Sequence, residues 1–392
     1  MFFSVLSIIF IKVRINVKWE QHKLRKVACI NPKTNIPDNF KYVDLESVVG
    51  TSLIKAKLTT KQLAPSRAQR VAKKGDIFYQ TVRPYQKNNF LFDINNYDFQ
   101  YVFSTGYAQL RSEINNYFLF SYLQRQRFVN LILRRSTGTS YPAISSKDLS
   151  EIKIIFPRNS KEQENIGKII NLIDALITLQ QRKLEQLKQL KKAMLQQLFV
   201  DKNNKQPNSR FKNFKGNWEQ HRLEEVAQVT MGQSPSSKNY TDNPNDYVLV
   251  QGNADLKSNK ISPRVWTKEI TKQVHKGEII MTVRAPVGYL AMANMDAVIG
   301  RGVAAIDGNK YLYYLLQTKL MDRTWEKLSS GSTFESISSN DIKNLEIKVT
   351  ETEEEKLITK LMNTVTYFVT LQKNNLTQLT TLKKYLLQNL FI

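Results

Sequence analysis

Trp19-Glu20-Gln21-His22-Lys23-Leu24, running on to Val27-Ala28, returns as Trp218-Glu219-Gln220-His221-Arg222-Leu223, running on to Val226-Ala227. The echo continues outward from both places. Lys74-Gly75-Asp76-Ile77 through Thr81-Val82-Arg83-Pro84 is answered by Lys276-Gly277-Glu278-Ile279 through Thr282-Val283-Arg284-Ala285-Pro286. Ser136-Thr137-Gly138-Thr139 and Ile144-Ser145-Ser146-Lys147-Asp148 are answered by Ser329-Ser330-Gly331-Ser332 and Ile337-Ser338-Ser339-Asn340-Asp341, and Leu198-Phe199 by Leu390-Phe391. A period of about 190 to 200 residues far exceeds that of solenoid arrays, so each copy is a domain with a connector. Between the landmarks, as in Thr51–Arg70 against Ser234–Trp266, similarity fades. A fixed frame with variable loops changes what is bound without changing the fold.

Each copy reads as a mixed α/β globule, an α+β arrangement, followed by one long helix. In the first globule Lys41–Leu45 and Ile77–Val82 are strand-like and Asn116–Leu133 is helical; in the second, Tyr247–Val250, Glu278–Val283 and Val303–Ile306 are strand-like and Tyr311–Leu328 is helical. Ser160 with Gln163, and Thr352 with Glu355, have the spacing of capping-box helix starts. From there, alternate steps of three and four give Ile170, Ile173, Ile177, Gln180, Leu184, Leu187, Lys191, Met194 and Leu198, and in the second copy Met362, Val365, Val369, Gln372, Leu376, Leu379, Lys383, Leu386 and Leu390. Both stripes are interrupted by Gln and Lys at the same two positions. Matched stripes with matched polar breaks favour pairing of the two helices as an antiparallel coiled coil over independent packing on each globule, and the two glutamines would fix the register. Such helices are about 60 Å long at 1.5 Å per residue. The pairing would relate the globules by an internal pseudo-twofold.

Composition narrows the partners. Fifty-eight Lys and Arg against 34 Asp and Glu leave a net charge of +24, which favours a polyanion, with nucleic acid ahead of an anionic membrane. Residues 1–199 hold 32 basic and 14 acidic residues and residues 200–392 hold 26 and 20, so the copies share a frame but not a surface. The single cysteine, Cys29, excludes a disulfide framework and a cysteine zinc site, fits a reducing cytoplasm, and is expected in a core. The apolar run Phe2–Ile11, followed by Lys12 and Arg14, is too short to span a bilayer and has its charges on the wrong side for a secretory signal, so it is expected to be a strand or an irregular start.

Catalytic constellations are missing from the sequence. There is no Gly-x-Gly-x-x-Gly and no Gly-Lys-Ser/Thr, hence no expected dinucleotide or nucleoside triphosphate site. His22 and His221 are repeat equivalents beside tryptophan, where a structural role outweighs a catalytic one, and His275 stands alone. The nuclease-like Asp148 with Glu151-Ile152-Lys153, and Asp341 with Glu346-Ile347-Lys348, fall out of register between the copies, so neither a metal site nor any cofactor site is expected.

Binding remains. In the first globule Lys55, Lys57, Lys61, Arg67, Arg70, Arg83, Tyr85 and Lys87 mix basic and aromatic character; in the second, Gln233, Ser234, Lys238, Asn239, Tyr240, Gln251, Asn253, Lys257, Lys260, Arg264 and Arg284 add amides. Lysine suits phosphates, while arginine, glutamine and asparagine can pair bidentately with base edges. Each alone reads as a solvated side chain; together they point to duplex DNA.

The order and duplication of these landmarks resemble the specificity subunit of type I restriction-modification systems: the Trp-Glu start, the Gly-Asp/Glu-Ile stretch ending in Arg-Pro in the first copy and Arg-x-Pro in the second, the Ser-x-Gly-Ser/Thr to Ile-Ser-x-x-Asp approach, then the long helix, all twice. The resemblance implies target-recognition domains at 18–158 and 217–350, spacer helices at 159–200 and 351–392, and a linker at 201–216. It further implies that each domain reads half of a bipartite DNA target, and that the helices set the spacing and dock two methyltransferase subunits, which motor-nuclease subunits join. The chain itself is then not an enzyme, and S-adenosylmethionine, ATP and magnesium belong to the partners. One departure stands out. Ser209-Arg210-Phe211-Lys212-Asn213-Phe214-Lys215-Gly216 precedes the second Trp-Glu, as is usual in this family, whereas the first copy carries the atypical segment 1–17, as a recombined or misplaced start would. Two other classes stay open on the residues alone: a DNA-modifying enzyme such as a methyltransferase-specificity fusion, and a coiled-coil adaptor.

Overall fold

The computed structural model describes residues 18–201, 203–328 and 336–391. The expectation for Phe2–Ile11 and the Ser329–Ser332 landmark therefore lie outside the described residues. The chain divides into two compact units, one running to Gln181 and resuming at Asn374, the other spanning Arg182–Lys373. Each division falls inside a long helix.

In the first unit, Trp19–Lys23 pairs antiparallel with Lys153–Pro157, which joins the start of the repeat to the strand before the long helix. A four-stranded antiparallel sheet orders Ala28–Ile30, Tyr107–Ser112, Ile77–Gln80 and Phe90–Leu91. A second sheet orders Lys57–Thr60, Asn39–Val43, Tyr101–Ser104 and Ala68–Val71, with its two central strands parallel. The second unit repeats this plan. Glu219–Arg222 pairs with Glu346–Val349; Gln228–Met231, Val303–Asp307, Ile279–Thr282 and Leu290–Met292 form one sheet. Tyr240–Thr241, Trp266–Thr267, Tyr247–Val250, Ala297–Ile299 and Gln273–Val274 form the other, again with a central parallel pair.

The Gly-Asp/Glu-Ile landmark supplies the strand on which each unit is built. Ile77–Gln80 and Ile279–Thr282 are buried along their whole length. Since successive side chains point to opposite faces, Ile77 and Tyr79 enter one core while Phe78 enters another, where it stacks on Phe103 with centroids 3.6 Å apart. Ile279 and Met281 part from Ile280 in the same way. Gly75 and Gly277 precede these strands with φ of +90° and +101°, which a side chain rarely tolerates. Asp76 is buried and accepts from Arg111 Nε and Nη2 (2.9 Å each), Gln109 Nε2 (2.7 Å) and Lys73 N (2.8 Å). The landmark is thus a folding feature.

Several elements depart from the sequence reading. The expected helix at Asn116–Leu133 is two helices, Asn116–Leu123 and Gln126–Leu133. Arg125 breaks it, with an extended backbone and a buried guanidinium stacked over Tyr122 (4.7 Å) and Phe391 (5.0 Å). Its counterpart stops at Met321 and restarts at Thr324, because Asp322 Oδ1 accepts from Thr324 N at 3.0 Å. Cys29 is exposed: on Ala28–Ile30 the alternation buries Ala28 and turns Cys29 outward. Asn159, one residue before Ser160, caps the first long helix, accepting from Lys161 N at 2.8 Å.

The long helices span Ser160–Leu198 and Thr352–Asn389. None of the eighteen stripe residues is exposed, whereas Leu172, Leu176, Leu179 and Leu190 between them are. In the first unit Ile169, Ile170, Ile173 and Ile177 share a cluster with Leu382, Leu386, Leu387 and Leu390, and Lys383 Nζ lies 2.5 Å from Asp174 Oδ1. In the second unit Met194, Leu195 and Leu198 share a core with Ile358, Leu361 and Met362. The matching lysine, Lys191, forms no ion pair among the described residues; its Nζ sits 5.5 Å from the Tyr314 ring, and burial holds its amine below the usual lysine range.

Candidate nucleic-acid interface

Four chain reversals at strand ends meet in the second unit. Val250 and Ile299 end the parallel pair, and the chain turns after each through Gln251-Gly252-Asn253 and Gly300-Arg301-Gly302. Arg284-Ala285 follows the central strand Ile279–Thr282, and the loop from Ser234 to Tyr240 follows Gln228–Met231. Together they line a cavity of about 540 Å³ whose walls also include Pro235 and Ser237. Two arginines line it and no acidic residue does, so its field attracts an anion.

Its polar groups are held in place. Asp255 Oδ2 accepts from Gln251 N (2.8 Å) and Gly252 N (3.3 Å), which fixes the turn, and Gln251 Nε2 donates to Tyr240 Oη at 2.7 Å. Ser234 Oγ accepts from Arg301 N at 3.2 Å. A β-carbon on Gly302 would meet Gln251 O at 2.0 Å, so these turns approach as closely as they do only because glycine stands there. Arg284 and Arg301 are exposed and face solvent.

Of the residues singled out by sequence, Ser234, Tyr240, Gln251, Asn253 and Arg284 line the cavity, and Gln233, Lys238, Asn239, Lys257, Lys260 and Arg264 do not. Asn239 Nδ2 donates to Glu269 Oε2 at 2.7 Å, a loop tie that with Ser236 N holds the Glu269 carboxyl below its usual range. Lys257 and Lys260 flank a tight hairpin whose Asn259 Nδ2 donates to Tyr313 Oη at 2.7 Å, and Arg264 lies 3.8 Å from Asp255. Arg301 was missed. Its signal was the Gly-Arg-Gly bracket, the counterpart of Ser104-Thr105-Gly106 in the first copy.

The first unit arranges its basic residues differently. Lys57 lies on one edge strand of its sheet and Arg70 on the opposite edge, so the expected set does not converge on one cavity. Lys55 pairs with Glu46 at 3.4 Å, and Lys61 is exposed just beyond the edge strand. Arg67 O accepts from Thr105 N at 2.8 Å, which brings Arg67 beside the turn that matches Arg301. Arg70 is half-buried, with its guanidinium below the usual range through burial. Arg83 stacks over Tyr141 at 4.3 Å, and Pro84–Gln86 forms a short turn carrying the exposed Tyr85. Burial, and then the nearby Lys383 and Lys384, hold the Lys87 amine low.

The nuclease-like residues make local structural contacts. Asp148 and Asp341 sit at helix caps with Ser145 and Ser338, Glu151 pairs with Lys23 and Arg25, and Lys348 Nζ donates to Asp201 O and Asn204 O. His22, His221 and His275 each lie near a surface carboxylate. Among the described residues no group of three His, Cys, Asp or Glu could hold a metal ion, and no helix is long and apolar enough to cross a membrane.

A type I restriction enzyme specificity subunit of Methanocaldococcus jannaschii is 29% identical over 289 residues, which is 70% of this chain and 67% of that protein. A solved chain from a study of complex assembly and conformational transition in a type I restriction-modification system is 26% identical, with a TM-score of 0.59 over 96% of this chain and 99% of that one. The S subunit of a type I restriction-modification system from M. genitalium, at 17% identity, shares the fold with a TM-score of 0.66 over 96% and 97% of the two chains. The family model of the type I restriction modification DNA specificity domain matches twice, over residues 16–189 and 215–381, so this chain belongs to that family.

Proposed function

We propose that the chain is the non-catalytic DNA-specificity subunit of a type I restriction-modification complex in the cytoplasm, each unit reading one half of a bipartite target. The observation that carries this reading is the acid-free cavity of the second unit, with Arg284 and Arg301 at its mouth and Gln251 and Asn253 on its wall. Arginines and amides placed by rigid turns suit base edges. The lysines outside it, Lys238, Lys257 and Lys260, suit phosphates and orient the duplex. In the first unit Arg67, Arg83 and Lys87 take the corresponding part from different loops, with Lys55, Lys57, Lys61 and Arg70 flanking.

The two long helices pair as an antiparallel coiled coil with pseudo-twofold symmetry and dock two methyltransferase subunits, to which motor-nuclease subunits are added. The seam's burial and the mixing of each helix's first half with the other's second half support this. S-adenosylmethionine, ATP and magnesium act on those partners. The test is binding by the purified chain: weak on duplex DNA alone, sequence-specific once a methyltransferase subunit is added, with methyl transfer by the chain alone as the contrary result. Replacing Leu184 and Leu376 together by Asp places two unpaired charges in the seam and should abolish assembly with the methyltransferase in size-exclusion runs; intact assembly would count against the paired helices.

A further inference from the structure

The second repeat ties its lead-in to the start of its long helix. Arg210 donates through Nε and Nη2 to the two oxygens of Glu354, 2.8 Å each, and through Nη1 to Gly216 O at 2.6 Å. Glu354 is 1% exposed. Phe211 packs on the same core, and Trp218, 5% exposed, lies against Phe199 and Tyr311.

The first repeat keeps the receiving surface. Gln163 Oε1 accepts from Asn115 N at 3.1 Å, and the Glu355 carboxylate is hydrogen-bonded to Asn309, while Asn115 and Asn309 cap corresponding helices. That match sets Glu162 where Glu354 stands. No described residue bonds Glu162 Oε2, which is buried. Burial pushes the Glu162 carboxyl up, and the Trp19 indole N–H offsets this only in part. Trp19 is half-buried where Trp218 is covered. At the same distance before the tryptophan, Arg210-Phe211 is replaced in the first copy by Ile11-Lys12.

We infer that Glu162 and Trp19 form a receptor for an arginine-phenylalanine segment of the Ser209–Gly216 kind, its guanidinium clasping the Glu162 carboxylate as Arg210 clasps Glu354. The chemistry is that of a bidentate charge-assisted pair, which an extended peptide carrying Arg-Phe completes. This inference does not depend on the reading of DNA.

The test uses the full chain and a capped synthetic peptide with the sequence of residues 207–217. The peptide should bind and raise Tm, and replacing its arginine by alanine, or Glu162→Gln in the chain, should each weaken binding at least tenfold; Glu354→Gln should leave that site's affinity unchanged. Without peptide, Glu162→Gln should leave Tm level or higher, since no guanidinium is lost. A chain with residues 10–18 replaced by the sequence of residues 209–217 should gain Tm, and Glu162→Gln should remove the gain. Equal binding of the peptide to the Glu162→Gln chain would overturn the inference, as would a fall in Tm from Glu162→Gln alone, which would mean that the carboxylate is already paired.

Discussion

The two units share a frame but differ in how they satisfy a half-buried lysine in the helix stripe. Lys383 meets Asp174 in the first unit, whereas Lys191, its repeat equivalent, lies over the face of Tyr314 in the second. The position matching Asp174 is Thr366, whose Oγ1 lies 3.3 Å from Tyr314 Oη. A buried amine paired with a carboxylate resists loss of either partner, while one held over a ring is replaceable. Divergence has therefore reached the scaffold as well as the loops.

The largest expected effect follows from that contrast. Asp174→Ala leaves the half-buried Lys383 without its carboxylate and should lower unfolding free energy by about 3 kcal/mol in urea titration, the low end for a buried pair because both groups keep some solvent contact. Lys191→Met should cost nothing or stabilise. Equal losses from both would erase the distinction.

Next comes the proposed recognition surface. Arg301→Ala should weaken binding of specific DNA by the assembled complex about tenfold or more, as expected for one bidentate contact worth about 1–3 kcal/mol. Arg83→Ala should weaken it less, because its guanidinium is already engaged by Tyr141. A larger loss from Arg83→Ala would reverse the ranking of the two sites.

The smallest effect is a pH difference. Lys191 binds its proton less tightly folded than unfolded, so across the window between its lowered value and the usual lysine value the unfolded state holds more protons and stability rises with pH. Buried Tyr79, Tyr107 and Tyr311, whose phenols are pushed up, act the other way at high pH, so the signal lies in the difference between parent and Lys191→Met. The parent should gain on the variant as pH rises, and a flat difference would show that Lys191 reaches water.

The repeat and the helical stripes were legible because both are periodic and long: no stripe residue is exposed, and Gln180 and Gln372 are half-buried. Short elements were less so. Arg125 and Asp322 broke expected helices through a stacking contact and a cap that local propensity does not encode. The second unit's cavity was half legible, since Gln251 and Arg284 sit beside quoted landmarks. Arg301 depended on the close approach of the Gly300–Gly302 turn to the Gln251 turn, which lies some fifty residues away in the chain. In the first unit, opposite sheet edges separate Lys57 from Arg70, and strand order is not written in composition.

Under the proposed function each unit reads its own half of a divided target. The direct measurement is binding of the chain with its methyltransferase partner to DNA varied in one half-site at a time, comparing Arg83→Ala with Arg284→Ala. The prediction is that each variant relaxes discrimination in a different half and leaves the other intact. Loss of discrimination in both halves with either variant, or in neither, would contradict it.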